Sequence, residues 1–365
     1  MESDRNPGGT RRRTLLGVAA GGMAGLVAGC RGQDGPRDPT TGPAVEHQTG
    51  VVSRPPGFLQ MVALDVGGGA GRVVAGLADR IERVHSVGAG SVTVGVGASL
   101  FTAGADRPRL LTDMPAFPND VLDEAWCHGD LLVQVGGSGA DQVAAIAADL
   151  VTAAGDDARV RWRLDGFRAE NGTTAAGRPS TRNLFGFREG SGNPDPSDAA
   201  LMDRLVWTGA DEPPWAAGGT YQVVRLIRFA VDLWDREPVP FQEAAIGRHQ
   251  SDGAPLAGGA EDATIDYSGD PAGAVTPLGA HIRRANPQTA ESRDHRILRR
   301  GYSYRRADDD QGLIFVCFQR DPENGFAAIQ RRLAGETLDR YVLPFGGGYF
   351  FVPPSVSALA GMLGG

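Results

Sequence analysis

The chain reads as an α+β protein built from two fused ferredoxin-like units, each β-α-β-β-α-β, with antiparallel sheets and helices on the outside. Two observations predict this. The six elements succeed one another in the same order in each half of the chain, strands marked by alternation and helices by apolar residues three and four apart. The length, 365 residues, is also ample for two domains.

In the first half, 58–66 is an apolar strand and 71–84 a helix, with Val73, Val74, Leu77, Ile81 and Val84 at helical spacing. Residues 91–97 alternate apolar and small residues as a half-buried strand does, and 130–135 is a further strand. An alanine-rich helix at 140–154, with Asp141 in its first turn, leads to a strand at 159–167. The second half repeats the order. A strand at 220–230 precedes a helix at 231–248, which is open to a break at Pro238-Val239-Pro240. A long excursion, 250–295, follows. Then come strands at 296–305 and 313–320, a helix at 323–334 and a strand at 346–352. Residues 170–219 link the two units.

The N-terminus reads as an address. Thr10-Arg11-Arg12-Arg13-Thr14-Leu15-Leu16 is a twin-arginine signature, followed by a Gly/Ala-rich apolar run that is too interrupted for a permanent membrane helix. Leu26-Val27-Ala28-Gly29-Cys30 resembles a lipobox, which makes Cys30 the candidate for lipidation; a plain cleaved signal is the alternative. The expected division is thus a signal peptide with lipobox at 1–30 and a flexible tether at 31–54. An N-terminal domain with a catalytic loop follows at 55–190, and a C-terminal, cofactor-binding domain at 191–365. The net charge of -8 argues against nucleic acid as the main partner. With Cys30 set aside, Cys127 and Cys317 remain, too few for a disulfide framework, and Cys317 lies in an apolar run that looks like a buried strand.

Two stretches carry chemistry. HIRRANPQ at 281–288 places His281 in an Arg-rich, Pro-broken segment, and Pro287 disfavours helix at the residue before it, so His281 is expected on irregular backbone. Neutral imidazole is the commonest metal ligand and the usual proximal ligand of haem iron, although a plain loop histidine is the bland alternative. GFREGSGNPD at 186–195 has three glycines in its first seven residues, which let backbone approach a flat ligand, and one carboxylate, Glu189, between Arg188 and Gly190. With a guanidinium from Arg299 or Arg300, these are the parts of a haem peroxidase pocket. Adjacent strand residues point to opposite faces, so only one of the two arginines can enter it.

GFREGSGNP at 186–194, HIRRANP at 281–287 and ILRRGYSY at 297–304 resemble three motifs of the dye-decolorising peroxidases, in particular their exported deferrochelatase/peroxidase branch. GDLLVQV at 129–135, GRHQSDGAPLAG at 247–258, LIFVCFQRD at 313–321 and FGGGYFF at 345–351 are similar to that family too. The resemblance runs from about Pro55 to the C-terminus and implies the ferredoxin-like fold. It also implies haem b, held without covalent attachment since no CxxCH occurs. It assigns His281 as the proximal iron ligand, Glu189 as the proton-transferring acid and Arg299 as the charge-stabilising arginine. Gly190, Ser191, Gly192, Asn286, Pro287 and Gln288 become haem contacts. Glu189 departs from the family's aspartate by one methylene. Hydrogen peroxide is the implied oxidant, with a phenolic, dye-like or metal reductant. The alternative is a haem-handling or ferrous-iron-oxidising component of an iron-uptake system, working with uptake partners and having weak peroxidase activity. A haem-free binding module is a third reading. No nucleic-acid partner is expected, any membrane contact is through the lipid, and a homodimer is open. Among weaker candidates, Arg283 and Arg284 meet the haem propionates or are solvated. Glu336 is a surface residue or the acceptor behind the His281 ring. His249 is structural. Tyr302, Tyr304, Tyr341 and Trp234 pack the core or relay electrons.

Overall fold

A computed structural model describes residues 47–101, 106–173 and 179–364. The N-terminal half runs α1 (Thr49–Val52), β1 (Phe58–Val66), α2 (Ala70–Ser86), β2 (Ser91–Val96), β3 (Leu131–Gly137), α3 (Ala140–Ala154) and β4 (Ala158–Phe167). A two-stranded ribbon, β5 (Glu170–Thr173) with β6 (Pro179–Thr181), and α4 (Ala199–Leu205) lie in the linker. The C-terminal half runs β7 (Thr220–Phe229), α5 (Val231–Trp234), α6 (Val239–Ile246), α7 (His281–Ala285), α8 (Ala290–Asp294), β8 (Leu298–Arg299), β9 (Tyr302–Ala307), β10 (Asp310–Gln319), α9 (Ala328–Leu333), β11 (Val342–Val352) and α10 (Val356–Gly364). The break at Pro238-Val239-Pro240 falls where expected. Pro238 caps α6, and prolines are tolerated in a first helical turn because its N–H groups have no intrahelical partner.

The sheet order is β7-β11-β2-β3-β1-β4-β9-β10-β8, and β7 also pairs with β10, so the sheet closes on itself. Within it each half keeps the antiparallel order of a ferredoxin-like unit, β4-β1-β3-β2 and β11-β7-β10-β9. The halves meet at two thin seams, Phe351 opposite Val96 and Phe167 opposite Ser303. Alternation then sorts the side chains. Leu59, Met61 and Ala63 of β1, Trp162 and Leu164 of β4, Val224 and Leu226 of β7, and Ile314, Val316 and Phe318 of β10 share the interior core. The other face of the N-terminal half packs on α2 and α3 through Val73, Val74, Leu77, Val143 and Leu150. Full burial of side chains this size is worth roughly 1.5–3 kcal/mol each before entropy is counted. The outer face of the C-terminal half differs. Its core is split in two, one cluster around Phe185, Phe229, Trp234, Leu338 and Tyr341, the other around Val223, Ile297, Cys317, Phe326 and Tyr349.

Three expectations change. Residues 47–53, placed in the tether, are docked: the Gln48 side chain donates to Val94 O and Pro353 O and accepts from Val94 N, and Val51 is buried. The signal peptide and the rest of the tether, 1–46, lie outside the described residues. The strand expected at 296–305 is two pieces along one edge of β10, interrupted at Arg300-Gly301. The register is the same on both sides of the interruption and the N–H of Arg300 still donates to Val316 O; on the side away from β10, Asn193 takes the backbone groups of Arg299 and Arg168 the carbonyl of Gly301. His281 is not on irregular backbone but opens the five-residue helix α7. The restraint from Pro287 acts on Asn286, which is extended (φ -141°, ψ 90°), and leaves room for one turn upstream.

Candidate active site

His281 is fixed from behind. Its Nδ1–H donates to both Glu336 oxygens, at 2.8 and 3.1 Å, which leaves Nε2 as the free ring nitrogen. Glu336 is 7% exposed, so the surface reading of this carboxylate is replaced by the orienting one. The α7 turn is itself clamped to the end of α9. Arg284 donates to Arg332 O and Ala334 O, while Arg332 donates back to Arg284 O and Ala285 O. Arg283 donates to Asp270 Oδ2, Thr276 O and Asp270 O, and stacks over Tyr267 at 4.5 Å. Both arginines therefore hold the segment that carries His281, in place of the propionate or solvent roles expected of them. Asn286 Oδ1 accepts from Ser292 Oγ and from the N–H of Gln288, whose φ is +63°. That turn ties the Asn286-Pro287-Gln288 segment to α8.

The opposite wall is the loop 182–193. An Arg182–Arg188 bridge closes it, and the N–H of Glu189 donates to Thr181 O. Asn183 organises the turn: Oδ1 accepts from Phe185 N and Phe187 N, and Nδ2 donates to Glu189 Oε1 at 2.8 Å. Ser191 Oγ donates to Glu261 Oε1, and Arg188 pairs with Oε2 of the same buried carboxylate. Gly190 and Gly192 sit at φ +87° and +76°, a region β-carbons disfavour, and the nearest atoms to a β-carbon there would be 3.6 and 3.9 Å away. These two positions thus need glycine for their backbone shape, and they leave free space beside them.

Arg299 joins this wall from β8. Its Nη2 donates to Ser191 O at 2.6 Å and its Nε to Asn193 Oδ1 at 3.2 Å. Asn193 also accepts from Arg299 N and donates to Arg299 O. Arg300 points the other way, its Nη2 donating to Val51 O. Arg299 lies opposite Cys317 in the ladder, so the two share the outer face of β10 with Phe315 and Leu313.

The charges act on one another. Burial lowers the pKa of His281, but the charge and hydrogen bond of Glu336 outweigh it, so the imidazole lies above its ordinary value; Arg299 lowers it and Glu189 raises it. Burial lowers the pKa of Arg299, opposed by the charges of Glu189 and Cys317. Burial is the largest single influence on His281, though Glu336 outweighs it, yet 31% of its side chain is accessible. A deep residue with open surface lines an internal hollow. Leu313 and Phe315, mid-strand in β10 and packed on the two halves of the split core, are likewise only part-buried. A bound planar group with an iron-binding face fits these residues: a free imidazole nitrogen, apolar walls and a glycine-lined edge.

Of the expected residues, the structure brings His281, Glu189, Arg299, Ser191, Gly190 and Gly192 around this hollow. Asn286, Pro287 and Gln288 hold the turn beyond α7. Tyr302, Tyr304, Tyr341 and Trp234 are buried in the core, and His249 pairs with Glu243 at the surface. Sequence reasoning passed over Asn183, Asn193, Arg248 and Glu261. Asn193 stood in view as the residue before Pro194, and Arg248 beside His249 in a motif already noted. A neighbouring cleft of about 420 Å³, which Arg296 also lines, is edged by charged residues including Arg204, Asp211, Asp294 and Arg320. Its walls include none of His281, Glu189 and Arg299, and its polarity suits a flat apolar group poorly.

Few reactions call for a carboxylate-backed imidazole within electrostatic reach of a buried guanidinium and a second carboxylate. Reductive cleavage of peroxide at haem is one, and haem peroxidase is the class this site defines. The chain belongs to the Dyp-type peroxidases: the family's N-terminal model matches residues 48–168 and its C-terminal model residues 180–357. Among relatives, the Deferrochelatase of Escherichia coli O6:K15:H31 (strain 536 / UPEC) is 44% identical over 285 residues, 75% of this chain and 67% of that one. The Deferrochelatase of Escherichia coli K12 is 44% identical over 277 residues, 73% of this chain and 66% of that one. The chain thus spans about two thirds of the length of these relatives. Among solved structures, the DyP-type peroxidase from Cellulomonas bogoriensis is 37% identical with a TM-score of 0.76, over 85% of this chain and 93% of that one. The oxyferrous complex of DtpA from Streptomyces lividans is 33% identical with a TM-score of 0.77, over 85% and 92%.

Proposed function

We propose that the chain binds haem b non-covalently through His281 and reduces hydrogen peroxide with Glu189 and Arg299 as its acid–base and electrostatic groups. The observation that supports this best is the imidazole backed by Glu336, with one ring nitrogen left free and the charges of Glu189 and Arg299 close enough to act on it. When bound, haem supplies the electrons that reduce peroxide and later recovers them from a reductant. The Glu336 carboxylate raises the electron-donating power of the imidazole by accepting its Nδ1 proton. Peroxide must lose a proton from one oxygen and gain it on the other, and Glu189 carries that proton. Asn183 holds the carboxylate by one oxygen and leaves Oε2 to act. Arg299 stabilises the negative charge developing on the departing oxygen; it stays charged and is held by Ser191 and Asn193. Gly190, Ser191 and Gly192 form one edge of the haem site, and the Asn286-Pro287-Gln288 turn supports the other. Stopped-flow mixing of ferric protein with peroxide tests this assignment. Arg299→Leu slows the reaction most and Glu189→Gln less; wild-type rates in both overturn it.

A second reading has one observation in its favour, the 44% identity to proteins named Deferrochelatase. In it the chain handles haem or oxidises ferrous iron beside an iron-uptake system, with peroxidase activity secondary. Turnover of phenols and dyes at least as fast as of ferrous iron favours the first reading. We further propose export by the twin-arginine route and attachment through lipid at Cys30. No described helix is long and apolar enough to cross a membrane. Cys30→Ser then releases the protein from the membrane fraction, and a wild type found wholly outside that fraction removes the lipid claim.

A further inference from the structure

This inference rests on haem as the bound group, and it concerns how the chain holds the two propionates. Arg283 and Arg284 are engaged with Asp270, Thr276 and the end of α9. A different set of guanidinium groups converges on the loop 190–193. Arg299 donates to Ser191 O, and Arg296 Nη2 reaches Gly192 O at 3.4 Å. Arg248 Nη2 lies 3.9 Å from where a β-carbon on Gly192 would stand.

The carboxylates nearby are already engaged. Glu261 takes Arg188 and Ser191, and Glu189 takes Asn183 and faces Arg299. Asp294 lies 3.8 Å from Arg204. Arg248 uses Nη1 on two carbonyls, Gly253 O and Glu261 O, and feels the Glu261 charge without an ion pair to it. Arg296 has that one long contact to Gly192 O. Among the described residues neither forms an ion pair with a carboxylate. Burial lowers the pKa of both, and the charge of Arg299 lowers each further. A third group points the same way. Tyr267 is 7% exposed, its hydroxyl has no partner, and it lies close enough to Arg248 for their charges to interact. A buried cation without a counter-ion, Arg248, and an orphaned hydroxyl are costly in a protein on its own, and the partly exposed Arg296 beside them adds unpaired positive charge. A dianionic ligand removes that cost.

We infer that Arg248 and Arg296 anchor the propionates of the bound haem, and that the Tyr267 hydroxyl donates to the propionate held by Arg248. The test compares haem b with its dimethyl ester, which keeps the iron and ring but carries no carboxylates. Each is titrated into apoprotein and followed by Soret absorbance and tryptophan fluorescence quenching. The wild type binds haem b at least tenfold more tightly than the ester, as charged hydrogen bonds are worth about a factor of ten each. Arg296→Ala reduces that preference about tenfold while binding the ester as the wild type does. Tyr267→Phe removes a hydroxyl with no protein partner, so the fold loses no hydrogen bond, and it reduces the preference a few-fold. An unchanged preference in both variants overturns the inference, as does an equal loss for haem b and ester. A wild type that binds the two equally defeats the anchors but leaves haem binding intact. A wild type that binds neither defeats haem binding itself.

Discussion

Asn193 is the residue whose loss most directly tests how Arg299 is held. Its amide makes three hydrogen bonds to one arginine: Oδ1 accepts from Arg299 N at 3.1 Å and Nε at 3.2 Å, and Nδ2 donates to Arg299 O at 2.9 Å. Neutral bonds contribute about 0.5–1.5 kcal/mol each and a bond to a charged group about 1.5–3 kcal/mol. Asn193 is part-buried, so water replaces some of this in a variant. Asn193→Ala is expected to lose about 2–3 kcal/mol of stability, read by urea unfolding of the apoprotein. The same change frees the guanidinium from its second support, leaving only Ser191 O. Misplacing a catalytic group by about an ångström costs on the order of a hundredfold in rate. Stopped-flow mixing with peroxide should therefore show a ten- to hundredfold slower first step, with haem content retained. Stability within about 0.5 kcal/mol of wild type together with an unchanged rate would refute the clamp.

Glu189→Gln keeps an oxygen for Asn183 but cannot carry a proton, so the peroxide step should slow by about a hundredfold, the low end for lost acid–base catalysis; a wild-type rate across pH 4 to 7 removes Glu189 from the mechanism. Arg299→Leu should slow it further, by about a hundred- to a thousandfold. The folded pKa of His281 lies above the ordinary value, so in the apoprotein its pairing with Glu336 stabilises fully below about pH 6.5 and fades as pH rises through the folded value. Glu336→Gln should flatten the fall in apoprotein stability as pH rises above about 6.5; an identical slope in the variant would place the titration elsewhere.

Most of the fold was legible because alternation and helical spacing are local. The breaks at Pro238-Val239-Pro240 and the order of both six-element units needed no tertiary information. Closure of the two sheets into one needed it, since the seams rest on single residue pairs such as Phe167 and Ser303. The site divides the same way. His281, Glu189 and Arg299 lie in compact motifs; strand alternation admitted only one of Arg299 and Arg300, and the motif resemblance chose Arg299. Glu336 looked like a surface residue because its partner lies 55 positions away. Arg283 and Arg284 looked free because Asp270 and the end of α9 are neighbours only after folding. Asn193 is a polar residue in a turn until Arg299 arrives from 106 residues further on.

The central claim is that His281 supplies the axial nitrogen to haem, and the absorption spectrum of the purified protein tests it most directly. The wild type should show a Soret band that hydrogen peroxide alters. His281→Ala should lose that band or shift it strongly, and added imidazole should restore it by refilling the place of the ring. A variant with wild-type haem content and spectrum, unmoved by imidazole, would contradict the account.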